Sequence, residues 1–372
     1  MITMQGKYNS ANVMVNEVDD TTQEQIQSLL DHPAFGKSYI AIMPDCHKGA
    51  GSCIGFTMTM NDYIIPNLVG VDIGCGMLMG RFFTTTLDLC KFDEFIKKNI
   101  PSGFAINSEI ASNNLELPVT GICDSIGLDP KKSLKALGSL GGGNHFIEVG
   151  HDGGGNVVVT IHSGSRNFGK RIADFYQNRA KEGLDRYFLG GKYPSLEFLH
   201  VDSGDAKDYL VALKVAQQFA SENRRIMMGR IGEFLDSGCQ LIESVHNFID
   251  DDNIIRKGAT PANLGQKVII PFNMRDGIAV CTGKGSKKYN YSAPHGAGRI
   301  LSRTDAKKQL SAEDFVKEMK DAGVYTTTAG KDTLDEAPGA YKDMDFILEN
   351  IRETVEVDEF IKPFYNFKSG GK

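Results

Sequence analysis

Hydrophobic residues fall along this chain in two rhythms, and the switches between them predict a mixed α+β fold. Thr21 and Glu24 stand at capping-box spacing ahead of the apolar run at residues 26–30, which predicts a short helix broken before Pro33. Residues 38–44 then read as a strand, and as far as Gly80 the text consists of β-type apolar runs, among them residues 63–70, parted by glycine-rich turns. Residues 91–100 carry helical spacing stopped by Pro101. A turn signal at residues 151–156 precedes the β-branched run at 157–162, and Leu, Ala, Phe and Met recur at helical intervals from 206 to 235. Short strands return at residues 244–247, 267–271 and 278–282. The chain closes with a capped helix starting at Ser311, a helix over 341–351 and a strand over 354–363.

This order lacks regular βαβ alternation, so the expected architecture is α+β, with mixed and antiparallel sheets surrounded by helices. No Pro/Ser-rich linker, low-complexity tract or internal repeat divides the chain, and one domain over residues 1–372 is expected.

Composition narrows the function classes. No apolar run approaches the roughly 18 to 20 residues of a membrane helix, and the first residues lack the features of a signal peptide, so a cytoplasmic protein without a membrane partner is expected. Seven irregularly placed cysteines argue for reduced thiols or a metal ligand over a disulfide framework. A net charge of −6 disfavours nonspecific coating of nucleic acid but leaves room for a local basic groove, for which Arg224, Arg225 and Arg230, or Lys284, Lys287 and Lys288, are the candidates. Solvated faces explain both stretches equally well.

Five of the eight histidines lie in or beside turns rich in glycine: His47, His145, His162, His246 and His295. Turns bring backbone N–H groups near ligands, so a histidine there is well placed for metal or phosphate. Asp72 and Cys75 lie three apart in a flexible turn. With His145, His162 and His246 they supply enough donors for two ions sharing one thiolate, an arrangement suited to in-line displacement at phosphorus. Donor softness alone favours zinc, and the aspartate leaves manganese or iron open. In residues 294–299, PHGAGR, a glycine-rich loop could cradle phosphate while His295 attacks, histidine being a competent nucleophile toward phosphorus. For any single residue, burial in the core is the simpler explanation; the five together favour a site.

The ordered motifs MPDCHKG, VGVDIGCG, LGSLGGGNHFIE, IHSGSR, HN, RKGA, HGAGRILSR and DEAPGAYKD resemble those of the RtcB RNA ligase family. The resemblance runs from about Ser38 to Lys368. It implies an enzyme that uses GTP and two Mn²⁺ ions to join RNA 2′,3′-cyclic phosphate or 3′-phosphate ends to 5′-hydroxyl ends, in RNA repair or tRNA splicing. It implies Asp72, Cys75 and His145 as ligands of one ion, Cys75, His162 and His246 as ligands of the second, and His295 as the residue that accepts GMP. The nucleotide would be lined by Asn144, Glu148, His246, Asn247, Pro271, Phe272, Asn273, Met274, Ile278, Gly296, Ala297, Gly298 and Lys368, with Arg166 and Arg299 clamping RNA phosphates. Whether a helper protein takes part is left open.

Two departures stand out. Residues 271–278 read PFNMRDGI where the family pattern has PGSMG, a small residue and a serine, so two hydroxyl donors are replaced and Arg275 enters the segment. The text between Ile100 and Lys131 is also short, implying trimmed substrate-facing elements. The rival reading is a two-metal phosphoesterase that opens cyclic phosphates without ligation; a noncatalytic RNA-end-binding protein is a further one.

Overall fold

Period-2 segments and helical segments sort into two large sheets, two small two-stranded ones and the helices that cover them, in a computed structural model that describes residues 1–111, 116–186 and 191–370. The first sheet runs in the order Ile2–Gln5, Ser10–Val13, Ile40–His47, Ile54–Thr59, Ile254–Lys257, Asn247–Ile249. Its one parallel pairing joins Ser10–Val13 to Ile40–His47. The second runs Cys239–Val245, Gly76–Phe82, Val157–Ser163, Phe146–His151, Val355–Lys368, Ile278–Gly283, Lys267–Pro271, and all its pairings are antiparallel. The fold is therefore α+β with mixed and antiparallel sheets, as expected.

Local chemistry accounts for the elements and for their departures from expectation. The first helix is Asp20–Leu30, and its cap is Asp19, whose side chain accepts from Thr22 N, so the capping-box reading at Thr21 starts it too late. The run at 63–70 is a strand only at Tyr63–Ile64, because Pro66 opens a 3₁₀ turn, Pro66–Leu68. The Ser311-capped helix is Ala312–Asp321, and the one at 341–351 is Met344–Asn350 with Asp343 as its cap. The last strand continues past Pro363 to Lys368, since a bulge between Pro363 and Tyr365 absorbs the missing N–H. Four helices, Val119–Ser125, Pro130–Lys135, Arg166–Arg186 and Arg303–Gln309, had no counterpart in the sequence reading. Residues 112–115, inside the shortened stretch, and Lys372 lie outside the described residues.

The largest apolar cluster joins the first sheet (Ile40, Ile42, Phe56, Met58) to Phe168 and Ile172 of Arg166–Arg186 and to Leu213 and Phe219 of Gly204–Leu235. A second fills the space between the other sheet and residues Phe92, Met227 and Ile231. Burying such side chains contributes about 25 cal/mol per Å² of apolar surface. The helix Gly204–Leu235 touches both clusters, so its polar face is held at a fixed height against the loops between the sheets. Among the described residues no helix is long and apolar enough to cross a membrane.

Candidate active site and metal centre

The turn after Pro66–Leu68 and the ends of three strands of the second sheet converge on one group of donors. Asp72 and Cys75 sit in the turn, His145 just before Phe146–His151, His162 within Val157–Ser163 and His246 just after Cys239–Val245. Cys75, His162 and His246 form one set, and Asp72, Cys75 and His145 another, with the ligand atoms of each set within 4.8 Å of one another. Cys75 Sγ lies 3.5 Å from His145 Nε2 and 3.2 Å from His162 Nε2; His162 Nε2 is 3.3 Å from His246 Nε2, and Asp72 Oδ2 is 2.9 Å from His145 Nε2.

The donor set fits cations. His145 and His162 direct Nδ1 at the carbonyls of Leu140 (2.9 Å) and Asn144 (3.1 Å), which fixes the tautomer that leaves Nε2 free to ligate. Burial, helped by neighbouring imidazoles, pushes His162 and His246 well below the ordinary histidine range and keeps them neutral. Burial and the Asp72 carboxylate push the Cys75 thiol up, while against its own burial Asp72 is brought down by the bond to His145. A buried thiol facing imidazole nitrogens is the environment in which a cation displaces the thiol proton.

Two neighbouring residues of Gly204–Leu235 hold this group in place. Arg224, fully buried, donates to Gly74 O (2.8 Å) and Ser163 O (2.7 Å) and pairs with Glu243. Asn223 bonds Gly138, Ser139, Ser163 and Gly164. Arg230 binds the carbonyls of Asn99 and Gly138. Arg224 and Arg230 therefore brace loops and do not form a basic groove. Of the second basic stretch, Lys284 and Lys288 pair with Glu356 and Glu353.

His295 follows the short strand Ser292–Pro294, and its ring centroid is 4.8 Å from that of His246. Its Nδ1 lies 2.6 Å from Oδ2 of Asp45, a fully buried residue at the end of Ile40–His47. Asp45 accepts that N–H, so the His295 Nε2 lone pair is free. Gly298 permits the approach: with φ +75°, a Cβ there would meet Asp45 O at 2.2 Å. Asp45 was missed in the sequence, where attention went to His47 two residues on; His47 Nδ1 bonds Asp45 O, and burial pushes its imidazole down to about 4.

His295 opens on a cavity of about 750 Å³, a size suited to a nucleotide. Of the residues expected around a nucleotide, Asn144, Glu148, His246, Asn247, Pro271, Phe272, Asn273, Met274, Gly296, Ala297, Gly298 and Lys368 line it, as do Asp72, Cys75 and His162. Ile278 does not: it is buried among Met77, Phe146, Ile269 and Ile361, because its position on Ile278–Gly283 turns it into the core. Asn247 lines the cavity with its amide committed to Gly258 N and Asp72 O. Asn273 is similarly engaged, accepting from the N–H groups of Arg275 and Asp276 and donating to the Asp276 carboxylate. Arg275 points away, pairing with Asp276 and Glu318.

At the far end Lys368 Nζ bonds Glu336 Oε2 at 2.8 Å and lies over the Phe146 ring. Burial would raise Glu336, but Lys368, Arg303 and Arg299 outweigh it and bring the carboxyl down to about 2. Arg299 directs its donors to Leu301 O, Asp335 O and Glu336 and stacks on Tyr341, so it braces this end and is not a free phosphate clamp. Arg166 bonds Ser139 Oγ and Gly103 O. Glu148, buried beside Asn366, is pushed up to about 8 by burial, against the Asn366 bond and the Lys368 charge.

A family model described as tRNA-splicing ligase RtcB matches residues 25–122 and 128–369. RNA-splicing ligase RtcB of Escherichia coli (strain K12) is 32% identical over 394 residues, spanning 91% of this chain and 92% of that protein. The tRNA-splicing ligase RtcB of Thermococcus kodakarensis is 28% identical over 426 residues, 90% of this chain and 88% of its own length. RNA-splicing ligase RtcB homolog 1 of Entamoeba histolytica is 27% identical over 402 residues, 82% and 76% respectively.

Proposed function

This chain belongs to the tRNA-splicing ligase RtcB family, and from that premise we propose that it is an RNA ligase joining RNA 3′-phosphate or 2′,3′-cyclic phosphate ends to 5′-hydroxyl ends through a nucleotide carried on His295. The observation that carries the reading is the His295 imidazole, oriented by a buried carboxylate, beside a five-residue donor cluster and at the wall of a nucleotide-sized cavity. GTP and two Mn²⁺ ions, implied by the family resemblance, are its cofactors.

His295 Nε2 attacks the α-phosphorus of GTP, forming a P–N bond as the bond to the β-phosphate oxygen breaks and pyrophosphate leaves. Asp45 holds the Nδ1 proton and stabilises the positive charge that develops on the ring. Water opens a cyclic phosphate to a 3′-phosphate beforehand. A 3′-phosphate oxygen then displaces His295 from the α-phosphorus, giving an RNA 3′-pp-5′ G end and restoring the imidazole. In the last step the 5′-hydroxyl oxygen attacks the RNA 3′-phosphorus, its proton is lost to solvent, and GMP departs. Asp72, Cys75, His145, His162 and His246 would hold the divalent ions, which when bound neutralise phosphate oxygens and polarise phosphorus. Lys368 and Glu148 line the end of the cavity where the base is expected.

The test is incubation of the protein with Mn²⁺ and α-phosphate-labelled GTP, followed by denaturation. Acid-labile label on the polypeptide, lost in His295→Ala with metal content unchanged, is expected, together with sealing of a cleaved RNA. Opening of the cyclic phosphate without label or joined product would replace this reading with the phosphoesterase one.

A further inference from the structure

Residues 101–107 lie against the loop that delivers His145 to the metal centre, and they carry one bare aromatic ring. Phe104 is 84% exposed, although Pro101, Ser102, Gly103, Ile106 and Asn107 around it are half-buried. A lone exposed ring is ordinary on a protein surface. This one cannot fold back, because the turn beneath it is pinned along its length. Pro101 O accepts from Leu140 N at 2.8 Å, Gly103 N donates to Gly141 O at 2.8 Å, Gly103 O accepts from Arg166 Nη2 at 2.7 Å, and Asn107 Nδ2 donates to Leu137 O at 2.6 Å.

Arg166 ties the turn to the site. It opens its helix at φ +58°, in the left-handed region that residues with side chains avoid, and its guanidinium spans from Ser139 Oγ to Gly103 O without an ion pair among the described residues. Gly141 separates it from the metal ligand: with φ +90°, a Cβ there would meet Arg166 Nη1 at 1.7 Å and His145 Nδ1 at 2.8 Å. Gly142 and Gly143 continue the loop, half-buried and without side chains. A Cβ on Gly143 would lie 3.3 Å from Nη2 of Arg303, which lines the cavity together with the 62% exposed Ile300.

A glycine strip thus leads from the cavity mouth to the Phe104 turn, with a guanidinium on either side. Beyond the turn, Asn107 bonds Lys135 O at the end of the helix Pro130–Lys135. Lys131 and Lys132 of that helix are exposed and, like Lys135, form no ion pair among the described residues. Cations along a path free of side chains, beside a bare ring, are the means by which single-stranded nucleic acid is held: phosphates follow the cations, and a base of any identity stacks on the ring.

We propose that Phe104 is an RNA-binding residue, its ring stacking a base of the strand whose reacting end lies at the metal centre. The strand crosses Gly142 and Gly143 and runs on toward Lys131, Lys132 and Lys135. The assignment rests on the RNA ligase reading above. Phe104 lies in none of the motifs that carry the family resemblance, and it falls in the stretch between Ile100 and Lys131 that departs from the family by being short.

The experiment measures, by fluorescence anisotropy, the binding of single-stranded RNA to the full-length, Mn²⁺-loaded protein without GTP. One oligonucleotide ends in a 3′-phosphate and another begins with a 5′-hydroxyl, each made intact and with a single abasic sugar at successive positions from that end. The parent protein is expected to lose about tenfold in affinity at one abasic position. Phe104→Ala is expected to bind intact RNA about tenfold more weakly and to ignore the abasic sugar, and Phe104→Trp to restore the sensitivity; the oligonucleotide that shows this pattern identifies the strand. A parent protein indifferent to every abasic sugar overturns the assignment without recourse to any variant. A loss in Phe104→Ala that is the same for intact and abasic RNA also overturns it, as does a dimer of the parent that Phe104→Ala dissociates, which would make the ring a contact between copies. The abasic pattern in a protein that GTP never labels would sink the nucleotide-transfer reading and leave the strand assignment standing; labelling and sealing with no abasic pattern would do the reverse.

Discussion

Asn223→Ala is expected to damage the metal centre from a distance, and the structure sets the size of the effect. The Asn223 side chain is fully buried and makes five hydrogen bonds: Oδ1 accepts from Gly138 N and Ser139 N, and Nδ2 donates to Ser139 O, Ser163 Oγ and Gly164 O, all at 2.8–3.1 Å. Ser163 Oγ in turn donates to Leu140 O, the same carbonyl that fixes His145 Nδ1. At about 1 kcal/mol net for each bond the loss is about 5 kcal/mol. A water entering the vacated polar space restores part of it, so unfolding free energy is expected to fall by about 3–4 kcal/mol. Loosening the carbonyl that orients His145 is expected to lower divalent-metal affinity, read with Mn²⁺ as the probe, by about tenfold to a hundredfold. Urea unfolding of the chelated protein reads the first number and Mn²⁺ titration the second; Asn99→Ala, on an exposed helix end, is the control and costs less than about 0.5 kcal/mol. A loss below about 1 kcal/mol with unchanged metal affinity would refute the bracing role of Asn223.

Further outcomes follow from the same geometry. Asp45→Asn is expected to slow labelling of His295 by about 10²- to 10⁴-fold, because an amide no longer selects the tautomer with a free Nε2; metal content and unfolding midpoint stay as in the parent, and a parallel fall in all three would mean that Asp45 acts only through folding. Cys75→Ala is expected to weaken both ions together, since its Sγ belongs to both donor sets; metal analysis showing one tight ion retained would contradict the shared ligand. Glu148 has a folded value of about 8 against an ordinary 4.5, so between these values the native state binds the extra proton. Its contribution is therefore present below about pH 4.5 and lost as pH rises through 8, by no more than about 5 kcal/mol. Glu148→Gln should flatten that part of the stability profile measured by urea unfolding from pH 5 to 8, and an unchanged slope would place the titration elsewhere.

Periodicity made most elements legible, and its failures have physical causes. The helix Arg166–Arg186 escaped because its buried positions, Phe168, Gly169, Ile172, Ala173, Tyr176, Ala180 and Leu184, include a glycine and two alanines among many charges, so its apolar stripe is thin until Gly204–Leu235 packs on it. The metal residues were legible because histidine and cysteine in glycine-rich turns are chemically conspicuous. Asp45 was not, since an aspartate within an apolar strand carries no sign of the histidine it will meet 250 positions later in the chain. Arg224 shows the opposite error: in sequence it joined a basic run, while in space its fully buried guanidinium holds the carbonyls of Gly74 and Ser163. Asn366 lay beyond the expected end of its strand at Pro363, and only the bulge that lets the strand continue brings it opposite Glu148.

The altered segment 271–278 and the sheet floor explain each other. Phe272 and Met274 anchor the segment in two separate apolar clusters, Asn273 and Asp276 satisfy one another, and Arg275 ties it to Glu318 on the helix Ala312–Asp321. A wall closed in this way leaves Glu148, Asn366 and Lys368, on the paired strands Phe146–His151 and Val355–Lys368, as the polar groups that face the cavity from the sheet. There the groups stand on paired strands, whose register limits their freedom more than a loop would. The floor is also electrically prepared: Lys368, Arg299, Arg303 and Lys307 share the two carboxylates of Asp335 and Glu336, which locks Lys368 in place and leaves positive charge in the network. Positive charge there favours an anionic or electron-rich group over a cation in this part of the cavity.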